Sequence, residues 1–210
     1  MTVFSGGLFW SFSAKGILLL VQPMRDGRQY CRHELTFTGL SPEEFGELYR
    51  ERLKQWGIDK VQTIAAQPEI FPKTDASGET VSESLFRAKV PIRKGDPNRV
   101  AGWSRLRTWL QPVKREDTPR LSPSLLFHPD CVYTIRTLPT LIQDESDPDD
   151  LGKCVEEYPA RALALWAMAR PSPQAAPKKP PPGPGTWAYE LELNRGAKRD
   201  ILCADLVEKR

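Results

Sequence analysis

Residues Gly16 to Gln22 read Gly-Ile-Leu-Leu-Leu-Val-Gln, with no polar side chain between Ile17 and Val21. Successive side chains of a strand point to opposite faces, so a run that is apolar at every position belongs to a buried strand. Leu8 to Phe12 reads as a second short buried strand ahead of it. Arg25-Asp26-Gly27-Arg28 follows, and Asp-Gly marks a hairpin because the tight turn needs positive φ. Gln29 to Thr38 then sets Tyr30, Leu35 and Phe37 among polar neighbours, as in a third strand. An antiparallel meander therefore opens the sequence. The apolar stretch Val3 to Val21 suits neither a signal peptide nor a spanning helix. No basic segment leads it, and Ser5, Gly6, Gly7, Ser11, Ser13 and Lys15 interrupt it. No membrane partner is expected.

Helices follow. Ser41 is an N-cap, Pro42 takes the first helical position and Glu44 completes a capping box. Phe45, Leu48, Tyr49, Leu53 and Trp56 then recur at helical spacing until Gly57. Asp59 to Ala66 reads as a strand, and Gly78 to Ala88 as a helix starting near Thr80. Asp96-Pro97 opens a helix through Leu110, with Val100, Trp103, Leu106 and Leu110 facing inward. Ser124 to His128 is a short strand, Cys131 to Leu138 a helical piece, and Glu156 to Arg170 the last core helix. Strands alternating with helices after a meander predict an α/β sheet with helices on its faces.

At 210 residues and 40% hydrophobic content, the chain can bury one substantial core with an appendage. The expected division is a folded domain over 1–170, a Pro-rich linker over 171–186, and a strand-like segment with a charged tail over 187–210. A net charge of +3 permits contact with nucleic acid only where basic residues cluster. Cys31, Cys131, Cys154 and Cys203 form no C-x-x-C pair, and His33 and His128 are the only histidines. A structural zinc site is not expected, and the cysteines read as small buried apolar residues of a reduced cytoplasm.

Arg99 to Pro112 reads R-V-A-G-W-S-R-L-R-T-W-L-Q-P, and Thr134 to Leu151 reads T-I-R-T-L-P-T-L-I-Q-D-E-S-D-P-D-D-L. Ala160 to Trp166 continues with A-R-A-L-A-L-W. In this order and spacing the chain resembles, over about residues 1–170, the C-terminal nuclease domain of the large terminase subunit of tailed bacteriophages. The resemblance implies a ribonuclease H-like mixed sheet with an N-terminal antiparallel meander and helices on both faces. It also implies a setting in the cytoplasm of a bacterial host and a link to viral DNA packaging. No G-x-x-x-x-G-K-[ST] loop occurs, so this sequence lacks the phosphate cradle of a packaging ATPase. The implied partners are double-stranded DNA, bound weakly and without sequence preference, and a portal or a separate terminase ATPase chain.

That family cuts DNA with two Mg²⁺ or Mn²⁺ ions held by acids, since closely spaced hard cations need carboxylate oxygens. The first acid sits on the opening strand as Asp-Trp-Gly; the matching stretch here is Phe9-Trp10-Ser11. The second, in Ala-Asp-Pro, is met by Ala66-Gln67-Pro68, and the third, on the last helix, by Arg161. Phe9 has no lone pair, Gln67 is neutral, and Arg161 would repel metal. The expectation is a catalytically inactive relative without cofactor, serving as a DNA- or partner-binding module. One alternative is an active two-metal endonuclease with displaced acids, for which Glu69, Glu157 and Asp130 are the candidates. Another is the product of a decayed or split prophage gene.

Arg93, Lys94, Arg99, Arg105 and Arg107, with Lys114 and Arg115 beyond, form the candidate phosphate-contacting surface. Asp96, Glu116 and Asp117 dilute it, and a plain solvated helix face is the competing reading. Trp103 and Trp109 are expected in the core. The acidic stretch Asp144 to Asp150 lacks the central Gly and terminal Glu of a calcium loop and reads as a solvated loop.

Overall fold

The structure is a computed structural model that describes residues 3–72, 79–115, 118–152 and 156–170, backbone only at 115 and 118–120. The strand singled out above lies inside a six-stranded sheet. β1 (Phe4–Phe9), β2 (Lys15–Pro23) and β3 (Gln29–Thr38) form the antiparallel meander, and Gly27 supplies the turn with a φ of +83°. β4 (Val61–Ala66) pairs parallel with β1, β5 (Ile92–Lys94) parallel with β4, and β8 (Leu125–Phe127) parallel with β3. The order is β5-β4-β1-β2-β3-β8, which puts β1 and β2 at the centre. A separate hairpin joins β6 (Val113–Arg115) to β7 (Thr118–Ser122).

Alternation along β2 builds two cores. Leu18 and Leu20 pack with Phe45, Ile64 and Leu85, while Ile17, Leu19 and Val21 pack with Trp103, Leu163 and Trp166. α1 (Pro42–Gln55) and α2 (Val81–Arg87) cover the first face; α3 (Arg99–Leu110), α4 (Val132–Thr137) and α5 (Tyr158–Met168) cover the second. Burial of these large side chains, at about 1.5–3 kcal/mol each, is the main source of stability. The architecture is the expected mixed α/β sheet with helices on both faces.

Several boundaries differ from the sequence reading for identifiable reasons. β1 begins at Phe4 and ends at Phe9, whereas the apolar run suggested Leu8 to Phe12. The Ser5-Gly6-Gly7 segment, poor in strand propensity, is extended because α5 crosses it closely. A Cβ on Gly7 would lie 1.8 Å from the Ala162 carbonyl oxygen. Ser5 Oγ accepts the Trp166 indole N–H there at 3.1 Å.

α3 starts at Arg99 rather than at Asp96-Pro97, because the Asn98 side chain accepts the Ala101 N–H at 3.0 Å and caps the helix. Trp109 is buried where Val100 and Leu110 are only partly so. The capping box of α1 forms as read, and Thr80 with Glu83 forms a second one on α2. α4 lacks a cap of its own. Glu34 of β3 provides it, its carboxylate accepting the Tyr133 and Thr134 N–H groups at 3.0 and 2.7 Å.

Cys31 and Cys131, distant in sequence, are buried free thiols with their sulfurs 4.0 Å apart. Cys154, Cys203, the linker over 171–186 and the segment over 187–210 lie outside the described residues. Among the described residues no helix is long and apolar enough to cross a membrane.

Candidate functional site

Parallel neighbours end side by side. The last register pair of β1 and β4 is Leu8 with Ala66, so Phe9 at the end of β1 and Gln67 just past β4 lie together at the carboxyl edge of the sheet. Crevices for ligands form at such edges in sheets of this kind. The close approach at Gly7 draws α5 across the same edge and sets its first turn, with Arg161, above them. The result is a cavity of about 330 Å³ whose lining includes Phe9, Gln67, Glu69, Arg99, Trp103 and Arg161. The three residues that the resemblance sets at the acid positions thus share one cavity.

Each is held by its own contacts. Gln67 Oε1 accepts the Trp10 backbone N–H at 3.0 Å, and Gln67 Nε2 donates to the Trp10 carbonyl at 2.8 Å. Phe9 stacks on Tyr158 with ring centroids 5.2 Å apart. The Arg161 guanidinium lies 5.6 Å from the Phe9 ring centroid, within cation–π range. Its Nη2 pairs with Glu157 Oε1 at 2.7 Å, one helical turn back, while the buried Nε has no hydrogen-bond partner among the described residues.

This donor set does not suit a pair of divalent cations. The Gln67 oxygen already serves a backbone amide, Phe9 offers nothing, and Arg161 places positive charge at the spot. Among the described residues no group of three or more His, Cys, Asp or Glu side chains is arranged to hold a metal. Glu69 and Asp96 line the cavity, Glu157 is engaged by Arg161, and Asp130 lies beside His128 at 3.3 Å and does not line it.

The basic residues divide by what they touch. Arg99 Nε donates to Asp150 Oδ1 at 2.8 Å and Nη2 to the Leu151 carbonyl at 2.9 Å. The same Asp150 oxygen accepts the Trp103 indole N–H at 2.8 Å and its neighbour's Leu151 N–H at 2.7 Å. Burial pushes the Asp150 carboxyl up, but Arg99, the Leu151 N–H and the Trp103 N–H outweigh it and leave it below the usual range. The stretch read as a solvated acidic loop is therefore anchored to α3.

Arg93 Nη2 donates to the Ala169 carbonyl at 3.0 Å at the end of α5. Lys94, Arg107 and Lys114 are exposed, Arg105 is half-buried, and the Arg115 side chain lies outside the described residues. Sequence reasoning missed Arg170, next to Arg93 on the same edge. It also missed Gly7, whose only signal was an unexplained pair of glycines in a strand.

No protein-family profile matches the sequence, and no curated protein matches it significantly. Solved structures do match the fold. The large terminase of a thermophilic bacteriophage superposes with a TM-score of 0.60 at 12% identity, over 79% of this chain and 38% of that one. The P22 large terminase nuclease domain gives 0.57 at 10% identity, over 80% of each chain. The large terminase nuclease of thermophilic phage G20c, solved with bound cobalt, gives 0.52 at 11% identity, over 79% of this chain and 80% of that one. The chain spans little more than a third of the first of these three proteins. It has the ribonuclease H-like fold of phage terminase nuclease domains.

Proposed function

We propose that this chain is a terminase-nuclease relative that has given up metal-dependent cleavage and serves viral DNA packaging as a binding module for double-stranded DNA. One observation carries the reading. The cavity at the carboxyl edge of β1 and β4 is furnished by a benzyl ring, a doubly engaged amide and a guanidinium paired to Glu157. Such a furnishing withholds from a pair of divalent cations the carboxylate oxygens they need at these three positions. Exposed Lys94, Arg107 and Lys114 support contact with phosphates. A portal or a separate terminase ATPase chain would be its partner, the ATPase chain carrying the motor function.

Purified protein incubated with supercoiled plasmid and Mg²⁺ or Mn²⁺ tests the reading. The expected result is unbroken plasmid together with a gel shift that weakens steeply as salt rises. Metal-dependent nicking that disappears in Glu69→Ala or Glu157→Ala would overturn it in favour of displaced ligands.

A further inference from the structure

Arg170 follows α5 directly, is half-buried, and makes no side-chain hydrogen bond or ion pair among the described residues. Arg93 reaches the same place from the edge strand β5, where its Nη2 donates to the carbonyl of Ala169, the residue before Arg170. The two guanidinium groups therefore share one corner of the fold. Burial and then the charge of Arg93 pull the Arg170 guanidinium below its ordinary value. Lys94, the next residue of β5, belongs with Ile92 to the opposite face of the sheet and stands apart from the pair.

Like charges at short range oppose one another unless something negative lies between them. The carbonyl end of α5 accounts for Arg93, which caps it. It leaves Arg170 unexplained. The nearest acid in sequence, Asp96, spends Oδ1 on the Asn98 N–H at 2.8 Å. No ion pair joins Arg93, Lys94 or Arg170 to a carboxylate among the described residues, whereas Arg99 and Arg161 both have one.

The corner is close to the cavity along the chain. Met168 and Asp96 line that cavity, two residues before Arg170 and two after Lys94 respectively. We propose that Arg93 and Arg170 form a subsite for a phosphate group where the end of α5 meets the edge strand β5. The planar guanidinium fork suits two phosphate oxygens at once. Resting on the DNA-binding reading above, the phosphate is one of the duplex backbone, and the strand runs along the β5 edge past the cavity mouth.

Two measurements on the full chain test this. Duplex affinity is followed by fluorescence anisotropy across a salt series for the native protein, Arg93→Gln, Arg170→Gln and Arg170→Lys. Each Gln variant should bind about 3- to 10-fold more weakly, with the log–log salt slope smaller by about one, and Arg170→Lys should recover the slope. Inorganic phosphate is titrated separately while the Arg Nε–Hε resonances are recorded. Saturable shifts at Arg93 and Arg170 are expected.

Native-like salt slopes in both Gln variants would overturn the subsite while leaving duplex binding intact. Shifted resonances without any duplex binding would keep the subsite, as one for free phosphate groups, and remove the nucleic-acid reading. Neither binding nor shifts would remove both.

Discussion

Gln67 and Trp10 are joined twice, the amide oxygen of Gln67 accepting the Trp10 N–H and its nitrogen donating to the Trp10 carbonyl. An amide is the side chain that can satisfy both backbone groups at once; a carboxylate could accept but not donate. Gln67→Ala should therefore destabilise the protein by about 1–2 kcal/mol. Gln67→Glu should cost a similar amount at neutral pH and less once acidified enough to protonate the new carboxyl. Urea unfolding at two pH values checks both.

The Arg161–Glu157 pair is expected to be weak in stability terms. A third of the Arg161 side chain is exposed, and partly solvated i,i+4 pairs contribute about 0.3–1 kcal/mol. A double-mutant cycle of Arg161→Ala and Glu157→Ala should give a coupling energy in that range. A value several times larger would mean that the pair is held in a much drier setting.

Glu34 matters more than its position on a polar strand face suggests. Its carboxylate accepts the Tyr133 N–H, the Thr134 N–H and the Thr134 hydroxyl, so it caps α4 across 100 residues of sequence. Glu34→Ala should destabilise by about 1–3 kcal/mol, because Thr134 is fully buried and its donors would be orphaned. Hydrogen exchange should show protection lost first in residues 132–137.

His33 makes the fold acid-sensitive. It stacks on Trp56 at 4.5 Å, and burial, followed by the charge of Arg32, lowers its pKa to about 4. The folded state thus disfavours the imidazolium that the unfolded chain accepts near pH 6.5. The stability His33 contributes is complete above pH 6.5 and lost as pH falls toward 4. His33→Gln should flatten the melting-temperature profile between pH 6.5 and 4, which thermal unfolding across that window measures.

Among the described glycines, Gly7→Ala should be the most damaging substitution. The added carbon would meet the Ala162 carbonyl oxygen at 1.8 Å, and backbone on both sides cannot yield cheaply. A loss of about 3 kcal/mol or more is expected. Melting the variant beside Gly27→Ala checks it, since the space at Gly27 is open and only its φ of +83° is strained.

What the sequence could reveal follows from range. The Ser41–Glu44 box and the uninterrupted Ile17–Val21 run are local, so α1 and the central strand could be read directly. The short strand β5 has three residues and no period to detect. Long-range pairings have no local signal either. Nothing around Arg99 announces Asp150, and nothing near Cys31 announces Cys131, so the ion pair and the closeness of the two buried thiols have no signal in the sequence. At the cavity, residue types at Phe9, Gln67 and Arg161 could be read, but not that Gln67 would turn its amide onto the Trp10 backbone.

Asp150 gathers Arg99 and Trp103 of α3 onto a single oxygen. That arrangement withdraws Arg99 from the free cations of α3, while Arg107, two turns further along, stays exposed. On the DNA-binding proposal, a duplex would find Arg107 and Lys114 open and Arg99 already occupied. To engage Arg99 as well, it would have to displace Asp150, and the 144–151 segment would then keep only its tie to the Trp103 indole.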